Sequence, residues 1–258
     1  LLAAAQTLTR FGERLACFSQ DVGERFALSS VSAMLHGEGV WLRPDRIALY
    51  RTLRIGADDD GRDLARANWA VRRLLGSSMS GPLDGVRGFL GRNTVQPSHP
   101  DNQLFLGDDQ PQGAELEALG DQWIAAVKGM KDLHPLTQGA FAFSRWREQG
   151  LTPFDEMLEP GVAVMRIGAA GIAPFLPLSE GGNIGRISIG KGIEDRLRRF
   201  YLAVENGSLQ ALMDLDRLAD WQARAVQQTA DLSGRTPPRL IGALLRLPAV
   251  SADLIAAT

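Results

Sequence analysis

Apolar positions recur along most of the chain at three- and four-residue steps, the spacing that puts them on one side of an α-helix. Leu2, Ala5, Leu8, Gly12, Leu15 and Phe18 form a first stripe, and Phe26, Ser29, Ser30, Ala33 and Met34 a second, so residues 1–36 are predicted helical. Gly37 and Gly39 stop that run, as glycine commonly does just past a helix end. Val40, Trp41 and Leu42 suit a short strand, and Pro44 then opens a helix holding Ile47, Ala48 and Leu49. Residues 63–75 are helical again, with Leu64, Ala67, Val71, Leu74 and Leu75 inward and Arg62, Arg66, Arg72 and Arg73 outward. The Gly-, Ser-, Pro-, Asp- and Asn-rich stretch 76–113 reads as loops around one short helix, with a surface flap over 97–112.

Residues 114–127 form an amphipathic helix through Leu116, Leu119, Trp123, Ile124 and Val127. The run 135–146 is apolar on more than one side (Leu136, Ala140, Phe141, Phe143, Trp146), which marks a central helix, and 162–170 is a further short apolar helix. Segment 171–192 is broken by Gly171, Pro174, Pro177, Gly181, Gly182, Gly185, Gly190 and Gly192. Residues 193–228 are helical, with a split into two helices expected near Asn206-Gly207. A linker over 231–238 leads to two short helices, 238–247 and 251–257, the second with Ser251 as N-cap. Alternating runs are few and no internal repeat occurs, so the fold class is mainly α.

Composition narrows the function classes. The 258 residues suffice for one large domain or two ordinary ones, and 45% apolar with 22% charged residues is ordinary globular chemistry. A net charge of -2 excludes a uniformly basic nucleic-acid coat, though not a local basic patch. Cys17, the single cysteine, excludes an internal disulfide framework and a cysteine zinc cage; its place on the first stripe predicts a buried, inert thiol. No apolar run approaches the roughly 20 residues of a membrane helix, and residues 1–8 lack the basic start of a secretory signal, so a cytoplasmic bacterial protein is the simplest placement. The chain starts at Leu1 rather than methionine, and a trimmed piece of a longer protein is expected. All but three of its 28 basic residues are arginines, the lysines being Lys128, Lys131 and Lys191. GC-rich codon usage accounts for that bias; ion-pair networks or anion binding are the alternatives.

Individual motifs carry little chemistry. Asp58, Asp59, Asp60 and Gly61 lack the downstream glutamate of a calcium hand and read as a solvated turn. The run from Gly185 to Gly190, Lys191 and Gly192 nearly fits a phosphate loop, but Gly192 replaces the magnesium-binding hydroxyl and no clean strand leads in. Arg186 and Lys191 leave room there for an anion. His36, His99 and His134 lack helical metal-site spacing, His99 suits a loop, and no metal is expected. No Gly-x-Ser-x-Gly elbow supports a serine hydrolase. Arg196, Arg198 and Arg199 beside Phe200 and Tyr201 suit either nucleic-acid backbone or a solvated face balanced by Glu194 and Asp195.

The C-terminal segment gives the first family resemblance. From Arg239 through Leu247 to Ser251 and Thr258, an apolar helix, a turn and a capped second helix resemble the opening of a winged helix-turn-helix. In such domains the next helix enters the DNA major groove, and this chain stops before it. Arg239 and Ser251 are thereby candidate DNA-binding residues, with the linker at Thr236, Pro237 and Pro238 setting orientation. Together with what precedes it, the chain resembles a plasmid-associated proteobacterial family that carries a domain of unknown function (the DUF1612 type) before a C-terminal helix-turn-helix. The N-terminal part looks like a worn version of the Fic fold, the helical scaffold of AMP-transferring enzymes. The resemblance implies a degenerate Fic-like helical bundle over 1–230, a linker over 231–238 and a truncated helix-turn-helix over 239–258.

Three places carry the Fic likeness. Ser32-Ala-Met-Leu-His36-Gly37 is similar to the inhibitory helix Ser-x-x-x-Glu-Gly, with His36 where the family has its glutamate and Glu38 expected to point elsewhere. The catalytic loop, His-Pro-Phe-x-Asp/Glu-Gly-Asn-Gly-Arg-x-x-Arg, fits one register with His134, Pro135, Gly139 and Arg145 matched. There the acidic metal ligand becomes Gln138, the nest residues become Ala140 and Phe141, and the first arginine becomes Ala142. A second register, which we favour, makes 135–146 the helix before the loop and puts Thr152 where the catalytic histidine stands, within Leu151-Thr152-Pro153-Phe154. The helix after the loop is matched, generically, by Val162, Ala163, Val164 and Ile167. Both registers lose the metal and phosphate grips on which phosphoryl transfer depends. The resemblance therefore implies a non-catalytic scaffold of a DNA-binding regulator, without cofactor, and with a homodimer or protein partner possible. Two alternatives stay open: an active AMP transferase using His134, Arg145 and ATP with magnesium, and a toxin- or antitoxin-like partner protein of a mobile element.

Overall fold

The computed structural model describes residues 1–18, 22–52, 55, 60–76, 81–92, 110–178 and 192–257, and among them every regular element is a helix. In chain order these are α1 (Leu2–Ala16), α2 (Gly23–Gly37), α3 (Pro44–Arg51), α4 (Gly61–Leu75), α5 (Val86–Leu90), α6 (Gly113–Lys128), α7 (Pro135–Glu148), α8 (Leu158–Gly168), α9 (Ile193–Gln228), α10 (Thr236–Arg246) and α11 (Ala252–Ala257). The mainly α class read from the periodicity is what the chain adopts. Among the described residues, no helix is long and apolar enough to cross a membrane. The strand expected at 40–42 is absent. Val40 donates its N–H to the Leu35 carbonyl at 2.9 Å, and the Leu42 carbonyl accepts from Ser32 Oγ at 2.6 Å. Those residues fold back on the end of α2 and need no second strand.

The core centres on α2 and α8. From Phe26 to Leu35 every residue of α2 except Ser29 is buried, and in α8 only Glu159 and Arg166 are not. Helix α4 lies against both, α1 runs along α9, and α7 packs tightly on α8. The α7–α8 approach depends on small residues, since a Cβ on Gly139 would stand 3.1 Å from Gly168 Cα. The apolar wrap predicted for 135–146 is realised in part: Leu136, Ala140, Phe143 and Trp146 are buried, while the arginine-bearing side faces out. Trp146 meets Trp123 of α6 edge-on, with centroids 5.0 Å apart, and both indole N–H groups are satisfied, by Thr152 Oγ1 and the Ala142 carbonyl.

Three expectations are corrected by packing. Helix α9 runs unbroken through Asn206-Gly207 for 36 residues. A Cβ on Gly207 would lie 2.2 Å from the Pro177 carbonyl oxygen, so this glycine admits a crossing chain rather than ending a helix. Cys17 is exposed, because α1 ends at Ala16 and the residue leaves the inward stripe; its thiol donates to the Glu13 carbonyl at 3.3 Å. The linker over 231–238 is shorter than read: α10 begins at Thr236, since Pro237 and Pro238 sit in its first turn, where the missing N–H leaves no bond unmade.

Candidate functional site

The C-terminal hairpin, α7 and the end of α2 hold those of the residues singled out by sequence that lie among the described ones. In the hairpin, Ser251 Oγ accepts the Leu254 N–H at 3.3 Å, so the predicted cap starts α11. Ile241, Leu245 and Leu247 are buried, and Arg239 is exposed on α10. Arg25 of α2 reaches the end of α10, donating from Nε to the Leu245 carbonyl at 3.0 Å and from Nη2 to the Leu247 carbonyl at 2.8 Å, with a further bond to Leu244. These are carbonyls that a helix terminus leaves open and partially negative, the natural contact for a guanidinium. Burial pushes the Arg25 guanidinium below its ordinary range.

Beside it, the Glu24 carboxylate accepts from Arg246 Nε of α10 at 2.8 Å and from Arg51 Nη2 of α3 at 3.0 Å. Arg51 continues to Asn68 Oδ1 of α4 at 2.7 Å. The hairpin is thus fastened to the same helices that form the core. A cleft of about 350 Å³ separates the end of α9 from α10, lined by Gln222, Val226, Thr229, Pro238, Ile241 and Leu245 among others.

At the second place, the residues of the first catalytic-loop register lie within α7. His134 is its N-cap, with Nδ1 accepting the Leu136 N–H at 3.2 Å. Gln138 Nε2 donates to the Leu133 carbonyl at 2.6 Å, and Arg145 pairs with Glu148 on an exposed side at 3.1 Å. The structure therefore keeps His134 and Arg145 on one helix, the first as its cap, and gives each a structural partner. The irregular connection falls at 149–157, where the second register has its loop. Its Thr152 is buried on Trp146, and Phe154 is exposed beneath the Arg147 guanidinium at 3.9 Å.

Of the inhibitory-helix residues, Ser32 holds the Leu42 carbonyl, the His36 ring lies 4.7 Å from that of Trp41, and Gly37 is the last residue of α2. Glu38, expected to point elsewhere, is the consequential residue of this segment. It caps the end of α2, and its carboxylate turns inward to the start of α8. Oε1 accepts the N–H groups of Met157 and Leu158 at 2.5 and 2.7 Å, and Oε2 accepts from Arg66 at 2.8 Å. Sequence reasoning missed this because the partners lie 119 and 120 residues away.

A partly buried arginine–carboxylate cluster surrounds that cap. Arg92 Nη2 bonds both oxygens of Glu159 at 2.8 and 2.9 Å. Glu156 accepts from Gln110 at 3.2 Å and faces Arg62 at 3.5 Å. Burial raises Glu159 above the ordinary carboxylate range despite Arg92. Burial also weighs against the Arg66 charge, but Glu38, Glu156 and Asp63 outweigh it and hold that guanidinium above its usual range. Among the described residues, no group of three or more His, Cys, Asp and Glu side chains could hold a metal ion. The cluster's carboxylates all have hydrogen-bonding partners, so it is built to clamp the α7–α8 turn.

Arg186, Lys191 and His99 lie outside the described residues, as do Asp58 and Asp59. Asp60 is ion-paired to Arg46 through contacts of 2.5 and 2.9 Å, and Arg199 to Asp195 at 3.1 Å. No family model, curated protein or solved structure matches the chain.

Proposed function

We propose that the chain is a non-catalytic, degenerate Fic-like scaffold of a bacterial, cytoplasmic DNA-binding regulator, with α10 and α11 as the first helices of a helix-turn-helix. The observation that carries this reading is the seating of the hairpin: Arg25 engages three carbonyls at the end of α10, and Glu24 pairs with Arg246. A reading head must be held in a fixed orientation to meet the groove, and a core that grips one end of its first helix supplies that. On the enzymatic side, His134 is engaged as a cap and Arg145 as a surface ion pair, so neither is poised at an anion site. No cofactor is required.

Duplex-DNA binding tests the reading. By fluorescence anisotropy, a protein in which a groove-reading helix follows residue 258 is expected to bind DNA with a steep dependence on salt. The 258-residue chain is expected to bind far more weakly at every salt concentration. Equal binding by the two would overturn the assignment of the C-terminal hairpin.

A further inference from the structure

Arg73 is a buried cation that no carboxylate among the described residues answers. The sequence pattern set it outward beside Arg72, yet in α4 it is only 7% exposed. Its Nη2 donates to the Gly88 carbonyl of α5 at 2.8 Å, and its guanidinium carbon lies 5.5 Å from the centre of the Phe89 ring. Neither contact supplies a full negative charge, and the enclosed Nε–H meets no acceptor. Other guanidiniums drawn into the core are answered: Arg66 by Glu38, Arg92 by Glu159, Arg51 by Glu24 and Arg25 by three carbonyls. Burial, and then the like charge of Arg72, push Arg73 below the ordinary guanidinium range, with nothing opposing them.

A second donor stands beside it. Trp69 lies one turn earlier on the same side of α4 and meets the same Phe89 ring edge-on, with centroids 5.7 Å apart. Its enclosed Nε1–H is also without an acceptor, whereas the indole N–H groups of Trp123 and Trp146 are both satisfied. Indole and guanidinium nitrogens only donate, so the group that completes them accepts, and the uncompensated charge calls for an anion. Enclosure of both donors restricts it to a small one. We infer that Trp69 and Arg73, against Phe89 of α5, hold a small oxyanion taken from outside the chain. The inference uses no residue of the C-terminal hairpin and is independent of the DNA reading.

Melting curves and indole spectra test it. At neutral pH, sodium phosphate is expected to raise the melting temperature above that in sodium chloride of equal ionic strength. The rise should saturate, reaching roughly 5 °C once phosphate exceeds its Kd about a hundredfold. Sodium acetate, run in parallel, separates the sources: a larger response to phosphate assigns a phosphate ion, a larger response to acetate a carboxylate. Arg73→Met, which puts an apolar chain in the buried place, is expected to lose the response with unchanged helicity by circular dichroism. Trp69→Phe, which keeps an aromatic edge for Phe89, is expected to weaken binding about tenfold. In proton–nitrogen correlation spectra, one of the five indole resonances is expected to move with the anion, and it is the one missing from Trp69→Phe. No response to either anion beyond that of chloride overturns the inference, as does a response that both variants retain in full.

Discussion

Glu38 shows how much of the molecule rests on single side chains. Its carboxylate is buried, satisfies two N–H groups at the start of α8 and neutralises Arg66. Removing it strands a buried cation and opens a helix end, and Glu38→Ala is expected to cost about 3 kcal/mol in denaturant unfolding. A change below about 0.5 kcal/mol, the scale of ordinary surface substitutions, would contradict the placement. Glu159 adds a pH dependence of defined sign. Burial raises its native pKa above the unfolded value, so its contribution to stability is complete below roughly pH 4.3 and is lost as pH rises through the native value. Glu159→Gln is expected to flatten the loss of stability as pH rises above the ordinary carboxylate range; an unchanged slope would show that Glu159 does not titrate this way. At this scale, legibility followed sequence distance. The Ser251 cap, three residues from its partner, was readable, whereas Glu38 was not, because tertiary packing chose its partners.

Among the elements, α9 is the instructive case. Asn206-Gly207 has the composition of a break, yet the helix continues because the segment at Pro177 crosses it there and requires a residue without a side chain. Gly207→Ala should improve intrinsic helix propensity and still destabilise the protein by about 2 kcal/mol or more, because the new Cβ meets backbone. A gain in melting temperature would contradict the close crossing. The prolines behaved as local rules predict: Pro44, Pro135 and Pro237 all lie in first turns of helices. The docking of α10 was not readable from α10, since its anchor is Arg25 on α2, about 220 residues earlier. Arg25→Ala is expected to speed amide exchange through 236–257 while α8 keeps its protection, as seen by hydrogen-exchange mass spectrometry. Uniform exchange across the chain would show that Arg25 supports the whole core instead.

For the molecule as a whole, helical periodicity was enough to read the fold class. It could not decide which stretch around 134–154 is loop and which is helix, because apolar wrap and glycine content are shared by a buried helix and a turn. Packing decided it: Gly139 is needed small against Gly168, and residues 135–148 form α7. In the proposed function the helical frame serves as a scaffold that grips no nucleotide. Calorimetric titration with a non-hydrolysable ATP analogue, with and without magnesium, tests it most directly. No saturable magnesium-dependent binding below the millimolar range is expected, for the parent chain and for His134→Ala alike. Tight binding that needs magnesium and disappears in His134→Ala would contradict it.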